Sequence, residues 1–152
     1  MKEIKAPSTI DDYDQYSDSL FVAGGISNCP NWQKEFVQSL KHTDIKFYNP
    51  RRDTYAETFQ KSQELEQISW EHENLKKCVA ISFWFPKETL CPITLFEYGY
   101  WLHSDKQIFL GIHPEYLRKA DLEIQTELSQ KNIQIVYSLE NLANIVESYF
   151  GH

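Results

Sequence analysis

Five short, largely apolar runs recur along the chain, each followed by a stretch that suits a helix. This alternation restricts the fold more than any other feature. The runs are Leu20–Ala23, Ile45–Tyr48, Val79–Phe85, Gln107–Ile112 and Ile133–Tyr137. They lack the apolar/polar alternation of strands that face water on one side, so they read as strands covered on both faces. Between them, Asn31–Lys41 carries Trp32, Phe36 and Leu40 on one helical stripe, and Ser62–Lys77 points Leu65, Ile68, His72 and Leu75 inward. Pro92–Ser104, Ala120–Gln130 and Leu139–Tyr149 complete the helices, and Pro92 stands where a first-turn proline is tolerated.

Strand–helix alternation with buried strands implies an α/β domain with a parallel sheet covered on both faces. Five strands fit a flavodoxin-like three-layer αβα arrangement with strand order 2-1-3-4-5. At 152 residues the chain reads as a polar N-terminal arm over residues 1–18, with Asp11, Asp12, Asp14 and Asp18, and a single domain over residues 19–152. The 41% apolar and 14% aromatic content excludes a disordered or fibrous chain. A net charge of −7 argues against a nucleic-acid polymer as partner, which needs a basic surface. No apolar run approaches a membrane span, and Met1–Lys5 leads into no secretory segment, so no membrane partner and a cytoplasmic location are expected. Three widely spaced cysteines, Cys29, Cys78 and Cys91, and five histidines without ligand spacing point to neither disulfide framework nor metal.

Ligands of such sheets sit beyond the carboxyl ends of the strands, where strand order reverses. The segments arriving there are Gly24–Asn31, Asn49–Tyr55 and Phe85–Glu97. Glu97 is the most conspicuous residue among them, one carboxylate in the apolar stretch FWFPKETLCPITLFEYGY, whose helix is expected to be buried in the domain. A carboxylate there is costly unless it is hydrogen-bonded, paired or used. Its plain structural alternative is a core glutamate held by a Tyr or Trp donor. Glu71 shares the face of Ile68 and Leu75 on the preceding helix, whereas Glu66 and Glu73 do not. Two inward acids from consecutive helices near one sheet edge are what cleavage of a glycosidic bond with retention requires: a nucleophile and a proton donor to the leaving group.

Around them, Gly24 and Gly25 allow close backbone approach, and Ser27 and Asn28 supply donors. Arg51-Arg52-Asp53 suits a phosphate or ribose contact, or is simply a solvated loop; Arg51 and Asp53 are the candidate ligand contacts. Phe21, Trp84 and Phe85 are candidate walls for a base. Cys91, beside a helix start, is a candidate for a lowered thiol pKa. The glycine loop is not GxGxxG and has no P-loop lysine, so no nucleotide cofactor is expected.

The segments LFVAGGIS (Leu20–Ser27), YNPRRD (Tyr48–Asp53), QISWEHENL (Gln67–Leu75) and FWFPKETLCPITLFEYGY (Phe83–Tyr100) resemble the nucleoside 2-deoxyribosyltransferase family, in particular its short, divergent branch. The resemblance spans roughly Ser19–Tyr137. FEYGY is similar to the family's nucleophile-bearing helix and maps the nucleophile onto Glu97; counting back from the following strand maps the acid onto Glu71. The resemblance implies cleavage of the N-glycosidic bond of a 2′-deoxynucleoside or its 5′-monophosphate through a covalent deoxyribosyl-glutamate. It also implies transfer to a second base or water, no cofactor, and a homo-oligomer, a dimer or larger, whose neighbour completes the pocket. Two positions depart from the pattern. Phe21 stands where the family's orienting tyrosine is, and Cys91 where an acid precedes the nucleophile. Those departures leave a catalytically weak nucleotide-binding or sensor module as the alternative.

Overall fold

The computed structural model describes residues 1–8, 18–53 and 60–151. Asp11, Asp12 and Asp14 of the expected arm, and Tyr55, lie outside the described residues. In chain order the elements are β1 (Lys2–Lys5), β2 (Ser19–Gly24), α1 (Trp32–Ser39), β3 (Lys46–Asn49), α2 (Lys61–Lys77) and β4 (Ala80–Phe85), then α3 (Pro92–Leu102), β5 (Gln107–Ile112), α4 (Lys119–Leu128), β6 (Ile135–Val136) and α5 (Leu139–Phe150).

All strand pairs are parallel and the order is β1-β3-β2-β4-β5-β6. The five strands read from the sequence therefore take the expected order. The strand count does not match, because a sixth strand precedes them. Lys2–Lys5 is not a solvated arm; it pairs along β3 from Lys2 opposite Lys46 to Lys5 opposite Asn49. The sequence KEIK disguises it, since one apolar residue among charges looks like a tail, yet edge strands commonly carry lysine. Ile4 and, just after the strand, Ala6 are both buried and join the apolar core.

Successive strand residues point to opposite faces of the sheet, and this sorts the core into two layers. Leu20, Val22 and Trp84 pack with Trp32 and Phe36 of α1 and Leu142 and Val146 of α5. Phe21, Ala23, Phe83 and Phe85 pack on the other face with Trp70 of α2, Tyr98 of α3 and Leu122 of α4. The result is a three-layer αβα domain. Each fully buried Phe of β4 contributes on the order of 1.5–3 kcal/mol through apolar burial. Local signals set the helix starts: the Asn31 side chain accepts from Lys34 N–H at 3.2 Å, and Ser138 from Asn141 N–H at 3.1 Å.

Two helices turn differently from the reading of their apolar stripes. On α2 only Leu75 of the expected inward set is buried; Leu65, Ile68 and His72 are exposed. Trp70 and Asn74 are buried instead. Trp70 packs beside Phe21 and Tyr48 with ring centroids 6.1 and 6.5 Å away, and its indole N–H donates to the Ser8 carbonyl at 2.8 Å. Trp70 thereby gains both aromatic packing and a partner for its indole N–H, which Leu65 or Ile68 at the same face would not use. α3 is likewise not enclosed on every side, since Phe96 is 72% exposed and Ile93 and Tyr100 about 60%. No helix among the described residues is long and apolar enough to cross a membrane.

Candidate active site

The carboxyl ends of β2, β3 and β4 open into a pocket of about 550 Å³ between α2 and α3. It lies at the reversal of strand order, where the chain steps from β3 past β2 to β4. The pocket collects Phe21 from β2, Gly24, Gly25, Ser27 and Asn28 from the loop after it, and Cys91, Thr94 and Glu97 around α3. Glu71, Gln67 and Glu64 come from α2, and Pro50 and Arg52 from the turn after β3. Eight of the twelve residues singled out in the sequence thus meet in one cavity, Glu97 and Glu71 among them.

The other four do not reach it. Trp84 points to the α1/α5 face of the sheet, where its ring packs beside His113, because β4 alternates and only Phe83 and Phe85 face α3. Phe85 is on the pocket side but fully buried, packed against Tyr98 and Tyr116 at 6.2 and 5.2 Å. Arg51 turns away and ties down the β2–α1 loop, donating to the Pro30 carbonyl, Gln33 Oε1 and the Cys29 carbonyl at 2.8, 3.0 and 3.1 Å. Asp53 pairs with Lys5 of β1 at 2.6 Å on the surface. Arg52, between those two, is the residue that enters the pocket. Pro50 and Arg52 lie beyond the end of β3, and the path of that loop in the fold brings them, and not Arg51 and Asp53, to the pocket.

The glycines serve packing more than ligand approach. A methyl on Gly24 would lie 2.2 Å from the Trp32 ring and 2.5 Å from the Trp84 carbonyl; one on Gly25 would lie 2.8 Å from Cys91 Sγ. The Gly25 carbonyl accepts from the Trp32 indole at 2.8 Å and from the Gln33 amide at 3.1 Å, fixing the loop that carries Ser27 and Asn28. Asn28 and Cys91 both take left-handed backbone conformations, at φ 59° and 52°. Asparagine tolerates this region better than cysteine does. The Cys91 thiol is not the lowered one expected of a helix start. Burial pushes it up to about 12, because the apolar surroundings penalise the thiolate more than the nearby Gly25 backbone N–H stabilises it. The surroundings of Cys91 favour the neutral thiol and do not activate it as a thiolate.

The two carboxylates have contrasting surroundings. Gln67 donates from Nε2 to Glu71 Oε1 at 2.8 Å and to the Pro50 carbonyl at 2.8 Å, while Gln67 Oε1 accepts from Arg52 Nε at 2.7 Å. Burial raises the Glu71 carboxyl above its ordinary value, and the Gln67 hydrogen bond and the Arg52 charge pull it back. Glu97 has no such support. Its Oε2 is buried without a hydrogen-bond partner among the described residues. Burial, with the charge of Glu71 adding to it, pushes its carboxyl up to about 8. Burial thus favours the protonated form of Glu97, while Gln67 and Arg52 favour the charged form of Glu71. Phe21 lines the same pocket with no hydroxyl to offer that oxygen.

Arg52, Gln67, Thr89 and Thr94 complete the polar lining; of these only Arg52, within its loop, is among the residues expected from the sequence. Gln67 and Thr94 were legible at helical spacing, four residues before Glu71 and three before Glu97. A comparison with curated proteins returned no match. A family model described as "Nucleoside 2-deoxyribosyltransferase like" matches residues 17–116, which run from β2 through α3 to Tyr116 and hold the whole pocket. That match covers about two thirds of the 152 residues, and the chain belongs to the nucleoside 2-deoxyribosyltransferase-like family.

Proposed function

We propose that this protein cleaves the N-glycosidic bond of a 2′-deoxynucleoside, with Glu97 as nucleophile and Glu71 as proton donor. The observation that carries the reading is the pair itself: an unpartnered buried carboxyl and a hydrogen-bonded one in a single pocket at the ligand edge of the sheet. A Glu97 oxygen attacks C1′ and forms a C1′–O bond as the C1′–N bond breaks. The bonding pair leaves with the base nitrogen, which takes the proton from Glu71. A second base or water then attacks C1′, gives its proton to Glu71 and releases Glu97. The attacking state has the proton on Glu71 and the charge on Glu97. The proton that burial favours on Glu97 passes to Glu71 for this, with no change in the sum of the pair's charge. Ser27 and Asn28 meet the sugar, and Phe21 walls the base.

Incubation with deoxynucleosides and a free acceptor base, followed by chromatography, tests the reaction through released and exchanged base. Trapping with a 2-fluoro-2-deoxynucleoside tests the nucleophile: a sugar adduct is expected on Glu97, and an adduct elsewhere or none during turnover would refute that assignment.

The charge of the pocket favours the nucleoside over its 5′-monophosphate. Its charged lining is Glu64, Glu71, Glu97 and Arg52, and Arg52 is already paired with Glu66 at 2.9 Å. Residues 9–17 and 54–59 contain no lysine or arginine. A phosphate dianion here meets net negative charge and further disfavours ionisation of Glu97. The kcat/KM for a monophosphate is expected to be at least about tenfold below that for its nucleoside; equal values would refute this.

The exposed Ile93, Phe96 and Tyr100 on α3 support a homo-oligomer, since Ile93 and its exposed neighbour Ile68 also line the pocket and a second copy seated there borders the site. Light scattering is expected to give a multiple of the single-chain mass; Phe96→Glu is expected to reduce it. A monomeric wild type would contradict this.

The second reading is a nucleotide-binding or sensor module without turnover. It is favoured by Glu97 Oε2 lacking a partner and by Phe21 lacking a hydroxyl. Nucleoside binding by calorimetry with no base release above a Glu97→Gln control would establish it; release above that control rejects it.

A further inference from the structure

The Gln67 amide sits between one donor and two acceptors, and that fixes which way it faces. Its oxygen accepts from Arg52 Nε at 2.7 Å, and its nitrogen donates to the Pro50 carbonyl and to Glu71 Oε1, each at 2.8 Å. Turned over, the amide would set its NH₂ against a guanidinium and its oxygen against two acceptors. All three hydrogen bonds would be lost. The orientation therefore follows from the chemistry of the neighbours. Arg52 is held in turn by Glu66 of α2, at 2.9 Å, with its side chain only 13% exposed.

Glu71 Oε1 consequently always faces an N–H. A carbonyl oxygen accepts that N–H better than a hydroxyl oxygen does, so the hydrogen bond favours Oε1 as the carbonyl and Oε2 as the oxygen that bears the proton of protonated Glu71. We propose that Arg52 and Gln67 are positioning residues that hold the Glu71 proton on Oε2 for delivery to the leaving base. Neither touches the reacting atoms for this purpose; they act through Glu71. Besides Arg52, the titratable side chains lining the pocket with Glu71 among the described residues are Glu64, Cys91 and Glu97. Cys91 stays a neutral thiol. Glu64 lies seven residues before Glu71, two turns along α2. Glu97 and Arg52 are the charges that bear on the Glu71 proton.

The inference rests on the glycosidic reading for its purpose, but its geometry can be tested without turnover. In a Glu97→Gln background Glu71 titrates alone, and carbon-detected NMR of the labelled carboxyls follows it. Adding Gln67→Met is expected to raise its midpoint by roughly one pH unit, because a donor to the charged form is gone. Arg52→Met is expected to act in the same direction, and the two together to be less than additive, since Arg52 works partly through Gln67. With Glu97 intact, Gln67→Met is expected to cut kcat about tenfold on an ordinary purine deoxynucleoside with KM little changed. On 7-methyl-2′-deoxyguanosine, whose base departs without needing a proton, the loss is expected to stay under about threefold. An unmoved Glu71 midpoint, or equal losses on the two substrates, would overturn the proposal. Absence of base release by the wild type would instead refute the glycosidic reading, and the carboxyl titration would still decide whether Arg52 and Gln67 govern Glu71.

Discussion

Glu97→Gln is expected to remove base release almost completely and, above pH 8, to make the protein more stable than wild type. Turnover should fall at least about a thousandfold, since loss of a covalent nucleophile leaves only binding and orientation. The stability effect follows from the raised carboxyl. In the unfolded chain Glu97 titrates near its ordinary value of 4.5; in the folded protein it does so at about 8. Between these values the folded state binds the extra proton, so stability falls as pH rises. The contribution is fully present below 4.5 and lost once pH passes about 8. With part of the residue near solvent, the loss is on the order of 3 kcal/mol, several degrees in Tm for a domain this size. Melting curves from pH 5 to pH 9 check it: the wild type should decline over this window relative to Glu97→Gln. Parallel profiles would mean that Glu97 is neither buried nor neutral. A residue that costs stability in its charged form and supplies the reaction is a functional residue by that trade.

Glu71→Gln is expected to change the shape of the pH profile as well as its height. In the proposed reaction the productive state carries one proton on the Glu97–Glu71 pair, so wild-type kcat/KM should be bell-shaped, falling above about 8 as the pair loses that proton. Without Glu71 there is no donor to lose, and the Coulombic push that Glu71 exerts on Glu97 disappears with it. Residual activity should then rise with pH to a plateau, with a midpoint below the wild-type alkaline limb. The loss at the optimum should be roughly a hundredfold on a purine deoxynucleoside and small on a substrate whose base leaves unprotonated. A profile that keeps its alkaline limb in Glu71→Gln would place the acid elsewhere.

Glu97 and Glu71 were both legible because a carboxylate at an apolar helical position stands out against its neighbours. Their reasons were not equally sound. Glu71 was assigned inward alongside Ile68 and Leu75, yet Ile68 is exposed and Leu65 more so. Glu71 reaches the pocket because Trp70 buries itself against Phe21 and Tyr48 and rotates α2 accordingly. Trp84 was misplaced for a simpler reason. In a strand apolar at every position, hydrophobicity alone does not say which alternate residues face which layer; the partner helices do. The edge strand Lys2–Lys5 was hidden because only Ile4 of it is buried and its pairing with β3 needs backbone more than side chains.

The α/β class, the order of five strands and the crevice at which the candidate residues converge were all legible along the chain. Each follows from local periodicity, from Gly and Pro breaks and from the rule that parallel strands need crossovers. Folding chose which neighbour of each charged residue reaches the pocket, with Arg52 taken over Arg51 and Asp53. Folding also set the two carboxyls apart, with burial pushing Glu97 up to about 8 and the Gln67 and Arg52 contacts pulling Glu71 back. Sequence names two glutamates with identical chemistry; their difference arises from Gln67 and Arg52 reaching one and nothing among the described residues reaching the other. Desolvation and hydrogen bonding act over a few ångströms of folded space, and no spacing along the chain encodes them.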